Sequence, residues 1–241
     1  MRVVHTFDNI SKLIRDVADK IKKIVDEADE ADEALHIALS GGSTPLSLFR
    51  LLGDEYRNSV EWSRVHLWWG DERIVPPSDD ESNYKHVNKL FISKIDIPAQ
   101  NIHRIKGELS ANVACADLES NLQCDMPEKE GIPHFDIVLL GMGDDGHTAS
   151  IFPDRLELLS CDELCMVAHH PISAQERVTL TGKVINHAQN VWFLVAGQNK
   201  KERVREIFTN DELAENLPAY HILPKDGELV WFLDNEAASE L

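Results

Sequence analysis

One histidine in a glycine-rich loop is the strongest candidate for chemistry in the chain. His147 lies within the segment GMGDDGHTASIFP at residues 141–153, directly after an apolar run. Histidine has an unperturbed pKa of about 6.5, which suits a general base near neutral pH. Asp145, two residues earlier, would orient the imidazole and stabilise its protonated form if the loop brings the two together. A lone histidine is more often structural, but a glycine-rich loop at the end of a strand favours a catalytic role.

A second segment, SGGSTP at residues 40–45, has the features of an anion site. Glycines let the backbone turn tightly and approach a ligand. Thr44 is predicted to be the N-cap and Pro45 the first residue of the following helix, whose free N–H groups favour a phosphate or an oxyanion. The alternative is an ordinary glycine-rich turn, and a nucleotide P-loop is excluded because no GK[ST] follows. The residues predicted to contact a substrate here are Ser40, Gly41, Gly42, Ser43 and Thr44.

Four charged residues near predicted strand ends complete the candidate site. In WGDER, Asp71 would accept hydrogen bonds from sugar hydroxyls, and Arg73 would bind a phosphate or polarise a carbonyl. Arg177 in QERVTLTG and Lys200 after AGQN are candidates for holding a phosphate. Taken singly, each has a simpler interpretation as part of a solvated turn or as a surface base.

Composition limits the possible partners. The 241 residues carry a formal net charge of −18, which argues against a nucleic acid or an anionic membrane as partner. No apolar run reaches the roughly 20 residues of a bilayer span, and MRVVHTFDNI lacks the apolar core of a signal peptide. Four cysteines without a CxxC pair are typical of reduced thiols, so we expect a cytoplasmic protein.

A metal site is the alternative use of some of these cysteines. Cys161 and Cys165, with His169 and His170 following, could form a cluster, but their spacing fits no familiar zinc pattern. We therefore expect neither a metal nor another cofactor.

Apolar periodicity predicts the elements that position these residues. Residues 9–28 have the three- and four-residue spacing of an amphipathic helix. Short apolar runs that end in turns or charged clusters are typical of strands buried on both faces of a parallel sheet. They lie at residues 36–42, 65–73, 135–143, 164–171, 191–200 and 228–234.

Helical patterns lie between several of these runs, in PLSLFRLLGDEY, ANVACADLESNLQ and NKKERVREIF. This alternation predicts a three-layer α/β/α fold with a mostly parallel, Rossmann-like sheet. The polar segment 76–85 has the character of a loop rather than a domain boundary, so we expect a single domain over residues 1–241. Ligands of such sheets bind at the carboxyl ends of the strands, where the candidate residues would meet.

Signatures of other enzyme classes are missing from the sequence. There is no GxSxG elbow of a serine hydrolase and no HExxH zinc motif. GMGDDG superficially resembles the dinucleotide fingerprint GxGxxG, but the HTASIFP that follows is a poor start for a long helix.

Taken together, these junctions resemble the 6-phosphogluconolactonase family along nearly the whole chain. The motifs that carry the resemblance occur in the family's order and are SGGSTP, WGDER, ESNY (81–84), IHRIKGE (102–108), GMGDDGHTASIFP, RVTLT and GQNK. GMGDDGHTASIFP is the most specific. The resemblance implies the fold of this family and of the related deaminases, and metal-free hydrolysis of a phosphorylated sugar lactone.

The resemblance also implies roles for the residues. His147 would activate water against the lactone carbonyl, and Asp145 would orient it. Arg177 and Lys200 would hold the phosphate, with Ser43 and Thr44 assisting. The resemblance leaves open whether Arg73 contacts the phosphate or the developing charge; Gly41 and Gly42 are the candidates for backbone donors to the oxyanion.

Two other functions remain as alternatives. The related glucosamine-6-phosphate deaminases have a catalytic Glu where this chain has Phe152, and a Tyr where it has Arg73. Both departures favour the lactonase. A sugar-phosphate sensor without activity has no need of the Asp145–His147 pair. The expected partner is a small phosphorylated sugar lactone, and we expect a monomer or a weak homodimer.

Overall fold

Seven parallel strands form the central sheet of the protein, whose computed structural model describes residues 2–241. The strands of the described chain are β1 Arg2–Phe7, β2 Leu35–Leu39, β3 Val65–Trp69, β4 Asp71–Arg73, β5 Ile102–His103, β6 Glu128–Lys129, β7 Ile132–Pro133, β8 Ile137–Leu140, β9 Cys165–His169, β10 Glu176–Leu180, β11 Asn190–Val195 and β12 Glu228–Asp234. The α-helices are α1 Ile10–Glu30, α2 Ser43–Leu51, α3 Asn83–Leu90, α4 Ala111–Asp125, α5 Gly182–Ile185 and α6 Lys201–Thr209.

The central sheet has the strand order β1-β12-β11-β8-β2-β3-β5, with every neighbouring pair parallel. All residues of β2 and β8 are buried, as are most of β11 and β12. Such strands need cover on both faces, and the helices flank the sheet. The prediction of an α/β fold with a mostly parallel sheet is confirmed.

The position of the site follows from the order in which the chain crosses this sheet. From β2 the chain continues through β3 and β5 toward one edge, whereas β8 is followed by β11 and β12 toward the other. The reversal between β2 and β8 is a topological switch point. Loops beyond the carboxyl ends of two such strands diverge and leave a crevice between them.

A second sheet corrects part of the prediction. Residues 164–171 do contain a strand, β9, but it is not a buried parallel strand. It pairs antiparallel with β10, which pairs antiparallel with β4. The middle residues Met166 and Val167 are only partly buried. The hairpin between β9 and β10 explains the direction, because antiparallel strands can be joined by a short loop.

The predicted run 65–73 is divided between the two sheets. β3 ends at Trp69, and Gly70 then donates its N–H to Leu39 O (2.8 Å) in the central sheet. Its carbonyl accepts from the N–H of Leu180 (2.8 Å) in the second sheet. Gly70 thus joins the two sheets, and β4 carries the charged residues of WGDER away from β3 and toward β10.

Other elements agree with the sequence in part. The predicted helix 9–28 is α1, whose N-cap Asn9 accepts from the N–H of Lys12 (3.1 Å). The polar segment 76–85 is a loop as far as Ser82, and its last three residues form the start of α3. Strand β1 was not predicted, because it is a partly exposed edge strand that pairs only with β12. Within residues 2–241, no helix combines the length and the apolar character that a membrane span requires.

Candidate active site

A cavity of about 360 Å³ opens at the carboxyl ends of β2, β8 and β11, next to the switch point. This volume lies in the range of small-molecule sites. Ten of the eleven residues singled out from the sequence line it, and the eleventh, Asp145, bonds to one of the ten. Those that line the cavity are Ser40, Gly41, Gly42, Ser43, Thr44, Asp71, Arg73, His147, Arg177 and Lys200.

The loop after β8 holds His147 against Asp145. Nδ1 of His147 donates to Oδ1 of Asp145 at 2.5 Å, and the same oxygen accepts from the backbone N–H of His147 at 3.1 Å. Burial alone would raise the pKa of Asp145, but the hydrogen bond and charge of His147 outweigh it and lower the pKa to about 2. The carboxylate therefore stays ionised and fixes the ring, which leaves Nε2 free to take a proton.

Glycine makes this tight loop possible. A Cβ on Gly143 would lie 2.1 Å from Nδ1 of His147 and 2.7 Å from Oδ1 of Asp145, so no other residue fits without displacing the pair. Gly146 has a φ of +80°, which L side chains rarely adopt. The N–H of Gly143 donates to the carbonyl of His147 (2.9 Å) and closes the loop. The glycines of the motif thus allow the imidazole of His147 to lie close to the backbone of the loop.

The segment 40–45 forms the opposite wall of the cavity. The predicted cap was wrong, because α2 begins at Ser43 and its N-cap is Gly42, two residues before Thr44. Gly42 has a φ of +96°, which places the turn before the threonine. Neither Gly41 nor Gly42 donates its backbone N–H to a protein acceptor among the described residues. These groups and the start of α2 form a donor surface for an anion.

Two arginines lie side by side on the second sheet. Arg73 on β4 and Arg177 on β10 are direct partners in the antiparallel register. Arg177 is only 8% exposed, and its Nη1 reaches Ser150 Oγ at 3.4 Å and lies 3.9 Å from Asp71 Oδ2. Burial lowers the pKa of Arg177, and the carboxylate of Asp71 opposes this shift.

Each of the two guanidinium groups has a nitrogen without a hydrogen-bond partner in the described chain. The buried Nε atoms of Arg73 and Arg177 have no protein partner within the described chain. Nη1 of Arg73 donates to the carbonyl of Glu81 at 2.7 Å, which aims the side chain. Both arginines line the cavity, and their guanidinium groups are suited to bind an anionic ligand there.

Lys200 supplies a third cation from the segment after β11. It forms an ion pair with Asp144, whose Oδ1 also accepts from Nδ2 of Asn199 at 2.7 Å. The hydrogen bond from Lys200 is the main reason why the pKa of Asp144 is lowered. Asp144 therefore connects the histidine loop to the lysine and holds both sides of the cavity at a set distance.

Polar residues that the sequence analysis did not assign support this arrangement. Ser150 Oγ donates to Asp71 Oδ2 at 2.6 Å, and Asn83 Nδ2 donates to the carbonyl of Asp71 at 2.9 Å. Asn83 also packs against Gly41, where a Cβ would lie 2.2 Å from its Oδ1. Asp71 is thus engaged by protein partners. Both residues lie inside quoted motifs, ESNY and GMGDDGHTASIFP, so the signal was present without an assigned role.

Glu72 is a further residue that sequence reasoning missed. Its buried carboxylate accepts from the backbone N–H groups of Arg73, Asn83 and Tyr84, each at 2.8 Å, and from Ser82 Oγ at 3.0 Å. Burial raises the pKa of Glu72 although these backbone N–H groups oppose the shift. The carboxylate ties the start of α3 to β4 and so places Asn83 beside the cavity.

The alternative metal cluster does not assemble. Cys165 lies against Cys115, with the two Sγ atoms 2.9 Å apart, instead of facing Cys161. Within residues 2–241, no three His, Cys, Asp or Glu side chains are grouped closely enough to hold a metal ion.

Comparisons with known proteins agree with the fold and the cavity. The family model described as glucosamine-6-phosphate isomerases/6-phosphogluconolactonase matches residues 8–231, so the chain belongs to this family. A curated relative, the 6-phosphogluconolactonase of Haemophilus influenzae, is 45% identical over 206 residues, which cover 84% of this chain and 86% of that protein.

Two solved structures are similar over nearly the whole chain. The structure of the "devB protein" has a TM-score of 0.94 and 40% identity, and the match covers all of both chains. That of 6-phosphogluconolactonase from Thermotoga maritima has a TM-score of 0.82 and 31% identity, covering 97% of this chain and 100% of that one. The resemblance stated from the motifs is thereby confirmed.

Proposed function

We propose that this protein hydrolyses 6-phospho-D-glucono-1,5-lactone to 6-phosphogluconate, the second step of the oxidative pentose phosphate pathway. The observation that carries the proposal is the His147–Asp145 pair at the edge of a cavity that also contains Arg73, Arg177 and Lys200. His147 can act as a base next to three cationic side chains that can bind an anionic substrate. The names of the relatives support the same reaction.

In the proposed reaction His147 is the general base. Nε2 takes a proton from water as the water oxygen bonds to C1 of the lactone, and the C1 carbonyl becomes an oxyanion. When the bond between C1 and the ring oxygen breaks, the imidazolium returns the proton to that oxygen. A positioned base contributes roughly 10²–10⁴-fold. The lactone is reactive enough that neither a covalent nucleophile nor a cofactor is needed.

We place the phosphate between Arg177 and Lys200, with Ser43 and Thr44 at the start of α2 assisting. The low exposure of Arg177 and its position in the cavity wall support this assignment, because a buried guanidinium gains most from a charged acceptor. Requirement for the phosphate follows, since a substrate without it leaves these donors unpaired.

The backbone N–H groups of Gly41 and Gly42 are our candidates for the oxyanion donors, and each such donor is worth on the order of 10²–10³ in rate. Arg73 contacts either the phosphate or this developing charge. The kinetics of Arg73→Gln separate the two roles. A rise in KM with kcat unchanged would assign the phosphate, whereas a fall in kcat would assign the developing charge.

The deaminase alternative lacks a carboxylate at the position where that reaction needs one. Phe152 occupies the place five residues after His147, and its ring is fully buried. The intact Asp145–His147 bond argues against a sensor without activity.

Four further predictions belong to this proposal. The chain forms a single domain, which the continuous core from Leu13 to Ala237 supports. It works without metal or cofactor, acts in the cytoplasm, and is a monomer or a weak homodimer. Light scattering on the purified protein tests the last of these.

The proposed reaction is tested by generating the lactone in situ and following its loss against the spontaneous rate, with EDTA present. We expect the wild type to accelerate the reaction and His147→Ala to lose most of the acceleration. His5→Ala, at an exposed histidine that does not line the cavity, is the matched control and should retain wild-type turnover.

A wild type that gives no acceleration would refute the proposed function, and ammonia release from glucosamine 6-phosphate would be measured next. Near-wild-type turnover by His147→Ala would refute the base assignment alone. Loss of activity on adding EDTA would refute the metal-free mechanism.

A further inference from the structure

Phe152 is buried in an unusual place for an aromatic residue. Its side chain is 0% exposed, but its surroundings are not purely apolar. Its neighbours include nitrogen-bearing side chains of the active site. The ring centroid lies 4.9 Å from that of His147, with the planes inclined at 47°, and 5.6 Å from the guanidinium carbon of Arg177. The buried ring therefore contacts residues of the active site in addition to packing against apolar side chains.

The face of an aromatic ring attracts cations. The attraction acts within about 6 Å of the centroid and amounts to roughly 0.5–2 kcal/mol, more when the pair is desolvated. Arg177 is a permanent cation. His147 becomes one in the proposed reaction, at the moment when it has taken the proton from water. One ring thus contacts both the base and a proposed phosphate ligand.

The other groups around His147 leave this contact intact. Asp145 bonds to Nδ1 of His147, and this bond coexists with the contact between the imidazole and the ring of Phe152. The ring of His170 also lies against Phe152, with the centroids 5.3 Å apart and the planes inclined at 77°. Nδ1 of His170 accepts from the N–H groups of Ile172 and Ser173 (3.3 and 3.2 Å), which keeps that nitrogen unprotonated. Burial, followed by the charges of Arg177 and His147, lowers the pKa of His170.

We infer that Phe152 is a positioning residue for the proposed reaction. Its ring keeps the imidazole of His147 aligned with Asp145 and stabilises the imidazolium that forms during water attack. The same ring also contacts the guanidinium group of Arg177. It thereby keeps the distance between His147 and Arg177 constant. This inference rests on the proposed function and adds to it a residue that takes no part in proton transfer itself.

The test changes the electrostatics of the ring without changing its shape. Phenylalanine with one, two or three fluorine atoms, introduced at position 152, weakens the negative ring face step by step. The same series at Phe91 is the matched control, because Phe91 is a buried core residue that packs against Trp62 and Phe49. Phe152→Leu removes the ring but keeps an apolar side chain. For each variant, kcat and KM for the lactone and the unfolding temperature are measured.

We expect kcat to fall with each fluorine at Phe152, to about one tenth with three, while KM changes less and the unfolding temperature stays near that of the wild type. Phe152→Leu should lose at least as much, and the Phe91 series should stay flat. A flat series at Phe152, or an equal fall at Phe91, would overturn the inference while the proposed function stands. No acceleration by the wild type would overturn both.

Discussion

Histidines occupy two ends of the same central sheet in opposite surroundings. Near the amino ends of β2 and β3, His36 and His66 stack at 4.6 Å, and His103 of β5 stacks on His66 at 5.3 Å. Beyond the carboxyl end of β8, His147 lines a cavity and bonds to a carboxylate. The first group is a row of stacked rings on three neighbouring strands. The second is a single ring whose Nδ1 bonds to Asp145 and whose Nε2 is left to react.

The partners explain the difference. Nδ1 of His36 accepts from Trp68 Nε1 at 3.1 Å, and His66 Nδ1 lies 3.0 Å from His103 Nε2. Burial, with the neighbouring histidines adding to it, lowers the pKa of His36 to about 3 and that of His103 to about 4. These rings stay neutral and pack. Residue type therefore does not decide the role of a histidine; an ionised partner and an open nitrogen do.

The largest expected effect separates the two groups by activity. Asp145→Asn should lower kcat at least tenfold, up to the roughly 10²–10⁴-fold contribution of the base, because the amide no longer fixes the required tautomer. The double variant with His147→Ala should be no slower than His147→Ala alone, since the two residues act as one unit. Kinetics of the three variants check this, and additive losses would contradict it. His66→Gln, in the stacked row, should retain wild-type kcat.

Removing a buried cation should have the next largest effect. Arg177→Gln should raise KM about ten- to hundredfold, as expected for loss of a charged hydrogen bond of about 1.5–3 kcal/mol. Lys183→Gln, at a lysine outside the cavity that donates to a backbone carbonyl, is the control with the same change of charge. Equal KM values for the two variants would remove Arg177 from the phosphate site.

Adding a methyl group to the histidine loop tests whether the close contact between Gly143 and His147 is needed for activity. Gly143→Ala should lower kcat about tenfold or more, because the new Cβ would overlap the His147 ring and the pair would have to separate. Gly70→Ala is the control for the added methyl group, since Gly70 does not line the cavity and its Cβ would make only an ordinary contact of 3.5 Å with Leu39 O. A Gly143→Ala enzyme with wild-type kcat would show that the close contact is dispensable.

The smallest expected effect concerns the stacked row and appears in stability. The pKa of His36 is near 3 in the folded protein and near 6.5 in the unfolded chain, so the unfolded state binds more protons between these values. The free energy of unfolding should therefore fall as the pH is lowered from 6.5. Its slope between pH 6.5 and 5 should be smaller in His36→Gln by roughly one proton, about 1.4 kcal/mol per pH unit. Urea unfolding at several pH values measures both slopes, and equal slopes would contradict the neutral row.

Local sequence was enough to predict the junctions of the site. The loops at residues 40–45 and 141–153 combine glycines with polar residues directly after apolar strands, and such turns depend mainly on neighbouring residues. Both loops line the cavity. The cap of α2 was misplaced by two residues because Gly42, with its positive φ, ends the turn before Thr44.

Local sequence was not enough to predict which distant segments pair with one another. Strand β9 looks as apolar as a central strand, but its antiparallel partner β10 and the turn of the chain at Gly70 decide its sheet. Edge strand β1 depends on β12, more than 200 residues away in the chain. Asn83 bonds to Asp71 and Glu72 of β4, which lie about 11 residues earlier in the chain. None of these pairings has a local periodic signal.

The sequence by itself determined the α/β alternation, the family and the residue types of the site, because strand, helix and glycine-rich turn each leave a local pattern. Only the tertiary structure decided which of those residues meet. It set Arg73 beside Arg177, paired Asp144 with Lys200, and placed the ring of Phe152 next to His147. The physical reason is that these contacts depend on how two sheets and their loops pack, and packing is a property of the whole chain.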